Sequence, residues 1–294
     1  MSGCVIVILN YNDFSTCQRL LEKIKDYAIF DKIVIVDNCS TDDSVALLKK
    51  YKSQKVDLIV SPNNGGYASG NNFGIRYSIE KYNPKIIFVA NPDVLFEENV
   101  AYQMAKTLSA NNEYGIVAPL VIQGYNVWKQ PGFWGTLESL LLIIFNLDKK
   151  RIKDKLAKET LPQEVGVVEG SFFAISKEAY MKTDGFDERT FLYFEENILG
   201  MKLKQSSLKT VVLPQLYYEH LHSNSIRKEY KSKARAFHNF YPSVKMYLQE
   251  YVKVNRFQLL IFEIVYGFAL LERHVYDFCK RLQWGVEKYI WKKM

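Results

Sequence analysis

Four short apolar runs near the N-terminus each end in side chains that could do chemistry. Cys4–Leu9 runs into Asn10-Tyr11-Asn12, and Lys32–Val36 into Asp37-Asn38-Cys39-Ser40-Thr41-Asp42. Asp57–Val60 leads to Asn63-Asn64-Gly65-Gly66-Tyr67-Ala68-Ser69-Gly70-Asn71-Asn72, and Ile86–Ala90 ends in Asn91-Pro92-Asp93. Each alone reads as a turn, because Asn, Asp and Gly are turn residues. Together on one edge of a sheet they describe a cleft, since ligands of open α/β sheets bind beyond the carboxyl ends of the strands. Asp93 closes a buried run after a rigid proline. A hard divalent cation wants oxygen ligands and needs few from the protein when a diphosphate brings the others. Tyr67 offers a ring on which a base could stack.

Other chemistries fit less well. The glycine-rich stretch is not followed by the Gly-Lys-Ser/Thr of a P-loop. It also lacks the G-x-G-x-x-G dinucleotide pattern and follows the third strand, where that pattern follows the first. Glu195-Glu196 is a carboxylate pair, but a glycoside hydrolase places its two acids on either side of the scissile bond, which adjacent residues cannot do. A silent nucleic-acid-binding module would account for basic residues, but not for four polar strand ends together with His220.

The elements that must position these residues alternate. Cys17, Leu20, Leu21, Ile24 and Ala28 follow a helical period. Ser40-x-x-Asp43 has the form of a capping box before Val45, Leu47 and Leu48. A third helix is expected over about Asn72–Tyr82. Strands alternating with helices imply parallel pairing with right-handed crossovers, an α/β sheet covered on both faces. Gly115–Pro119, Val165–Ile175 and Lys209–Leu213 read as further strands. The pattern changes over Tyr125–Glu164, and after about Ile226 it becomes helical, aromatic and basic.

The 294 residues are 48% apolar, enough to bury a core, and carry a formal charge of +7. That excess is local: Arg227–Met294 holds fourteen Lys and Arg against six Asp and Glu. A basic end suggests an anionic partner. Cys4, Cys17, Cys39 and Cys279 have no metal-ligand spacing; three of the four sit among apolar or strand-like neighbours, which suggests buried thiols of a reduced compartment. No apolar run has the length of a membrane span, so a cytoplasmic protein is expected.

In order and spacing, these pieces resemble the family 2 glycosyltransferases, especially the rhamnosyltransferase-like branch that builds bacterial surface polysaccharides. The matching segments are Val7–Asn12, Val36–Asp42, the Asn64–Gly74 loop and Asn91-Pro92-Asp93. Gly170-Ser171-Phe172-Phe173, Gly185-Phe186-Asp187-Glu188, Phe191–Glu196 and His220-Leu221-His222-Ser223-Asn224-Ser225 continue the match, which spans residues 4–226. The resemblance implies a GT-A fold: a Rossmann-like, mostly parallel sheet flanked by helices. A nucleotide-binding half would cover about 1–119 and an acceptor half about 120–226, with 227–294 as a helical extension. It further implies an inverting transferase that uses Mg²⁺ or Mn²⁺. Asp37 would hold the base or ribose of the donor. Asn10, Asn12, Asn38, Asn64, Gly66, Tyr67, Asn71 and Asn91 would line the same pocket. Asp93 stands at the metal-binding acid, with Asn91 in place of the first acid of Asp-x-Asp, and His220 reaches the metal or diphosphate. Glu196 aligns with the base that takes the acceptor proton, with Glu195 as the alternative. Asp187 and Glu188 would anchor the acceptor loop.

The branch points to dTDP-rhamnose as donor ahead of UDP-sugars, and to a glycan or lipid-linked oligosaccharide as acceptor. Acceptor choice is expected in Tyr125–Glu164, including Lys149-Lys150-Arg151, and in the C-terminal segment. There, Phe257–Leu271 followed by Lys280, Arg281, Trp284, Lys288, Trp291, Lys292 and Lys293 suits two roles. It could lie on an anionic membrane at the inner face of the cell membrane, or pack on the catalytic domain or a second subunit of a homodimer. No nucleic acid is expected as a partner.

Overall fold

The computed structural model describes residues 3–141, 152, 154–156, 158–221 and 233–291, the side chains of 233–236 and 281–291 excepted. The Lys149-Lys150-Arg151 run, the segment from His222 to Ser225, and Lys292 and Lys293 lie outside the described residues. The chain divides into two compact units. One is Met1–Gln130 with Leu147–Ser223; the other is Pro131–Asn146 with Asn224–Met294.

The first unit is built on β1 (Cys4–Asn10), β2 (Lys32–Asp37), β3 (Val56–Val60) and β4 (Ile86–Ala90), with α1 (Phe14–Ile24), α2 (Ser44–Leu48) and α3 (Gly66–Tyr82) between them. β5 (Val94–Leu95), α4 (Glu98–Ala110), β6 (Tyr114–Val121) and β7 (Val127–Trp128) follow. Later come β8 (Gln163–Val165), β9 (Val167–Val168), β10 (Phe172–Ser176), α6 (Lys177–Thr183), α7 (Glu195–Gln205) and β11 (Lys209–His220). The second unit contributes α5 (Phe133–Leu140), α8 (Lys233–Met246), a π-helical turn at Tyr247–Tyr251, and α9 (Arg256–Trp291).

Among the described residues the main sheet runs β3-β2-β1-β4-β10-β6-β11-β5, with β8 beside β11. β3, β2, β1 and β4 are mutually parallel, as expected from the strand–helix alternation. β10 then enters antiparallel between β4 and β6. Period-two alternation divides each central strand between two cores. Cys4, Ile6, Ile8, Ile33, Ile35, Phe88 and Ala90 pack on one face with Leu20, Leu21 and Ile24 of α1 and Met104 of α4. Val5, Val7, Val34, Val36, Ile87 and Val89 pack on the other with Ala68 and Ile75 of α3 and Leu199 and Leu203 of α7. Both faces are covered, so the strands read as continuous apolar runs. Each fully buried large side chain favours folding by about 1.5–3 kcal/mol.

Four sequence expectations are corrected. Helix α3 begins at Gly66, not near Asn72, so most of the glycine-rich stretch is helix. Its buried face is marked by small residues: a Cβ on Gly74 would stand 2.4 Å from Val36 and 2.6 Å from Val7, so the helix backbone lies directly on the sheet. Val165–Ile175 is three strands, because the chain leaves β11's side, pairs β9 with β7, and only then enters the sheet centre as β10. Ser40 is no helix cap; α2 starts at Ser44 without a side-chain cap bond, and Ser40 turns back onto Asp37. Of the four free cysteines, only Cys4 and Cys17 are buried; Cys39 and Cys279 are exposed.

Candidate functional site

Three polar networks lie at the carboxyl ends of these strands. In the first, the Asp37 side chain is wholly buried at the end of β2. It accepts from Asn10 Nδ2 at 2.9 Å and from the Ser40 amide and Ser40 Oγ at 2.8 Å each. A carboxylate offers about four lone-pair sites, so these donors leave one. Asn12 joins the two loops. Its own amide donates to Ser40 Oγ at 2.9 Å, and its Oδ1 accepts from the Thr41 amide at 2.8 Å. Asn12 and Cys39 hold left-handed backbones, with φ of 51° and 62°. The Asn10 Oδ1 is buried and has no hydrogen-bond partner among the described residues.

The second network carries the Asn38, Asn64, Gly66 and Asn71 positions. Asn38 Nδ2 donates to Asn64 Oδ1 at 2.9 Å and to the Gly66 carbonyl at 3.1 Å, while Ser61 Oγ donates to Asn38 Oδ1 at 3.0 Å. Asn64 Oδ1 also accepts from the Gly66 amide. Gly66 has φ +83°, and a Cβ there would stand 2.0 Å from the Phe191 carbonyl oxygen. That carbonyl accepts from the Tyr67 amide at 3.0 Å. The start of α3 is thus held against the segment that leads to Glu195. Tyr67 extends the link. Its hydroxyl donates to the Gly170 carbonyl at 2.5 Å, and its ring meets Phe186 edge-on at 5.5 Å. Burial, then the charges of Glu196 and Glu195, hold this phenol well above its ordinary pKa. Asn71 is buried; its Nδ2 donates to the Tyr67 carbonyl, and its Oδ1 has no partner among the described residues.

The third network surrounds Asp93. The short strand β5 pairs with the end of β11, His220 opposite Val94, and the Leu221 amide donates to the Asp93 carbonyl at 2.9 Å. This pairing sets His220 Nε2 3.3 Å from Asp93 Oδ1. On the ring's other side, His220 Nδ1 lies 3.8 Å from Glu169 Oε2. Burial by itself would lower the His220 pKa; Asp93 and Glu169 reverse that and hold it at about 9. Asn91 is half-buried, and its amide donates to the Ser171 carbonyl at 2.8 Å.

Sequence reasoning missed Glu169. It lies inside Val165–Ile175, which reads as a single strand, and carries no motif of its own. Only the antiparallel register of β10 on β4, Phe172 opposite Ala90, brings the Glu169-Gly170-Ser171 turn beside the Asn91–Asp93 end of β4. Ser171 Oγ lies 2.6 Å from the Tyr218 hydroxyl and donates to Glu169 at 3.2 Å.

The carboxylate pair opens α7. Tyr193 and Phe194, just before it, both have left-handed backbones, with φ of 76° and 71°. Such conformations cost about 1–3 kcal/mol each in residues other than glycine and persist where packing over-determines them. Here Phe194 is buried. Within α7, Trp128 Nε1 donates to Asn197 Oδ1 and Gln130 Nε2 to the Asn197 carbonyl, both at 2.8 Å. The result separates the two acids. Glu195 is buried, and its Oε2 has no partner among the described residues. Burial, then the charge of Glu196, push its pKa well above the ordinary carboxylate range. Glu196 is half-exposed, and its Oε1 accepts from the Gly170 amide at 3.1 Å. Asp187 and Glu188 both have side-chain partners. Asp187 pairs with Arg189, while Asn72 donates to both Glu188 and the Phe186 carbonyl.

The donors around Asp93 suit Mg²⁺ or Mn²⁺ in kind. A 3.3 Å separation between Asp93 Oδ1 and His220 Nε2 is close to the roughly 3 Å between neighbouring ligands of an octahedral cation bound at about 2.1 Å. The two ring nitrogens of His220 face different carboxylates, and among the described residues no three His, Cys, Asp or Glu side chains converge on one cation position. Asp93 and His220 thus supply donor types that such a cation accepts, the imidazole only once it has given up its proton.

The chain is similar to several known proteins. Over 194 residues the chain is 29% identical to the hexosyltransferase Agl10 of low-salt glycan biosynthesis from Haloferax volcanii. That match covers 65% of this chain and spans only 58% of the relative. Over 245 residues it is 24% identical to the rhamnosyltransferase WbbL of Escherichia coli, covering 79% of this chain and 88% of that one. Among solved structures, it superimposes on the mannosyltransferase PcManGT of Pyrobaculum calidifontis, determined with GDP-Man and Mn²⁺. The TM-score is 0.56 at 14% identity, over 98% of this chain and 80% of that one. The model of the family named "Glycosyl transferase family 2" matches residues 5–183. With its sheet order and helical C-terminal region, this is an α/β chain of GT-A fold that belongs to the family 2 glycosyltransferases.

Proposed function

We propose that the chain transfers a hexosyl group from a nucleoside-diphosphate sugar to a hydroxyl of a glycan or lipid-linked acceptor, with inversion at C1, in the synthesis of a bacterial surface polysaccharide. The donor favoured is dTDP-rhamnose, supported by the likeness to a rhamnosyltransferase; the likeness to a hexosyltransferase keeps other hexoses, as UDP-sugars, behind it.

The observation that carries the reading is the Glu169-Gly170-Ser171 turn. Its three residues touch both ends of the reaction: Glu169 faces His220, Ser171 binds Asn91, and the Gly170 amide orients Glu196. In the reaction, the acceptor oxygen forms a bond to C1 as its proton passes to Glu196. The bond from C1 to the diphosphate oxygen breaks, and its electron pair leaves with the nucleotide. A positioned base must be open to the acceptor, which suits the partly exposed Glu196 better than the buried Glu195. Asp93 and His220 would hold Mg²⁺ or Mn²⁺, which when bound neutralises charge on the departing diphosphate. Asn10, Asp37, Asn38 and Asn64 would order the loops against which the nucleotide lies.

Glu196→Gln keeps the shape of the side chain and removes the proton acceptor. Transfer should fall by about 10²–10⁴-fold, with nucleotide-sugar affinity little changed, and Glu195→Gln should slow transfer far less. A dead Glu195→Gln beside an active Glu196→Gln would move the base by one residue. In the same assays Asp93→Ala should abolish Mn²⁺-dependent thermal stabilisation by a nucleoside diphosphate. Undiminished stabilisation would remove Asp93 from the cation site.

A further inference from the structure

Helix α9 has two contrasting faces. Phe262, Tyr266, Ala269 and Arg273 are buried. Against them, Phe237 stacks on Tyr266 at 5.0 Å, Tyr241 stacks on Phe262 at 5.7 Å, and the Arg273 guanidinium lies 3.6 Å from the Phe237 ring. The opposite face carries Phe257, Leu260, Ile264, Phe268, Leu271, Val275 and Phe278, each with more than half of its surface exposed. Their spacing of three and four residues keeps all seven within an arc of about 80° at roughly 100° per residue. The stripe is about 32 Å long at 1.5 Å per residue.

We propose that this stripe is the seam of an antiparallel homodimer, in which α9 of a second copy of the chain lies along it with the two-fold axis between Gly267 and Phe268. An isologous contact must be complementary to itself, and the stripe is. Reversed about that point, Phe257 meets Phe278, Leu260 meets Val275, and Ile264 meets Leu271. At the axis, Phe268 meets Gly267. A Cβ on Gly267 would have nothing within 4 Å, so the partner's Phe268 ring has open space there. Glycine inside a helix costs about 1 kcal/mol relative to alanine, and room for that ring accounts for it.

Two features favour a second copy over an anionic lipid surface. The stripe is narrow and repeats on average every 3.5 residues, as a coiled-coil seam does, whereas lipid-bound helices present a broad apolar face bordered by Lys and Arg. The bases Arg256, Lys280, Arg281 and Lys288 of this helix stand beyond the ends of the stripe, and the charged residues between Phe257 and Phe278 are Glu263, Glu272, Asp277 and Arg273. Three are acids, and the one base is buried. Glu263 is already paired with Lys245 at 2.8 Å.

The test uses the full chain. Sedimentation velocity across a concentration series should show a dimer, and Phe268→Glu, at an exposed position, should raise its dissociation constant by more than about thirtyfold while the circular dichroism spectrum stays unchanged. Orientation is read in a Cys39→Ser, Cys279→Ser background. Ile264→Cys chains mixed with Leu271→Cys chains should cross-link on oxidation, and Ile264→Cys chains alone should not. A monomer at every concentration, or a dimer indifferent to Phe268→Glu, overturns the seam. Cross-linking of Ile264→Cys alone overturns the antiparallel register. A monomer that binds phosphatidylglycerol vesicles more than phosphatidylcholine vesicles, and loses that preference with Phe268→Glu, assigns the stripe to a lipid surface instead.

Discussion

Asp37 and Glu195 are both buried carboxylates at the polar edge of the same unit, and their surroundings differ: Asp37 has side-chain donors, while Glu195 is met only by the backbone amides of Tyr193 and of Glu195 itself. Asp37 is held by Asn10 and by two donors of Ser40. Glu195 keeps an oxygen without a partner among the described residues, beside the charge of Glu196 and after two residues of left-handed backbone. A buried charge is tolerated when donors surround it and becomes costly when they do not. Asp37 therefore belongs to the framework that ties the loops of Asn10 and Ser40 together. Glu195 is a stability cost kept where the reaction is proposed to occur, and the strain at Tyr193 and Phe194 marks the same place.

The largest expected effect breaks the framework side of this contrast. Asp37→Ala strands the Asn10 amide and the Ser40 donors in the interior, and each unsatisfied buried group costs about 1–3 kcal/mol. Urea unfolding should show a loss of about 2–4 kcal/mol. A loss within experimental error would mean that the Asn10 and Ser40 loops hold themselves without Asp37.

A smaller effect of opposite sign is expected at Glu195. Glu195→Gln removes a group whose charge the interior disfavours, so stability should rise by about 1 kcal/mol, read as a higher melting temperature. A clear decrease would show that Glu195 is held by interactions its neutral form cannot replace, and the contrast with Asp37 would fail.

The smallest effect lies in pH. The folded pKa of Glu195 is raised, so the folded chain holds this proton more firmly than the unfolded chain. That contribution is fully present below the ordinary carboxylate pKa and is lost as pH rises through the folded value. The advantage of Glu195→Gln over the wild type should therefore widen as pH increases from acid towards neutral. A gap that stays constant with pH would mean that folding does not raise the Glu195 pKa.

By itself, the sequence determined the four-stranded parallel part of the sheet. β1, β2 and β4 are apolar runs buried on both faces, β3 at the sheet edge is partly buried, and Asn, Asp or Gly follows each, a pattern legible without knowing what packs on it. The same holds for α1, whose large apolar residues fall on one face. The start of α3 was not legible, because its buried face is made of Gly66, Ala68, Gly70 and Gly74, and a periodicity of large apolar residues cannot register an absence of side chains. Asp93 and His220 could be named from the order of motifs, but they are far apart in the chain, and a two-residue strand pairing with the end of β11 brings them together. Glu169 carried no signal at all. Its place beside His220 depends on β10 entering antiparallel between β4 and β6, a choice of register made by the whole sheet. The difference between Glu195 and Glu196 was likewise decided in three dimensions. Adjacent residues at a helix start point in directions about 100° apart, and only the packing around α7 determines which carboxylate is buried and which meets the Gly170 amide.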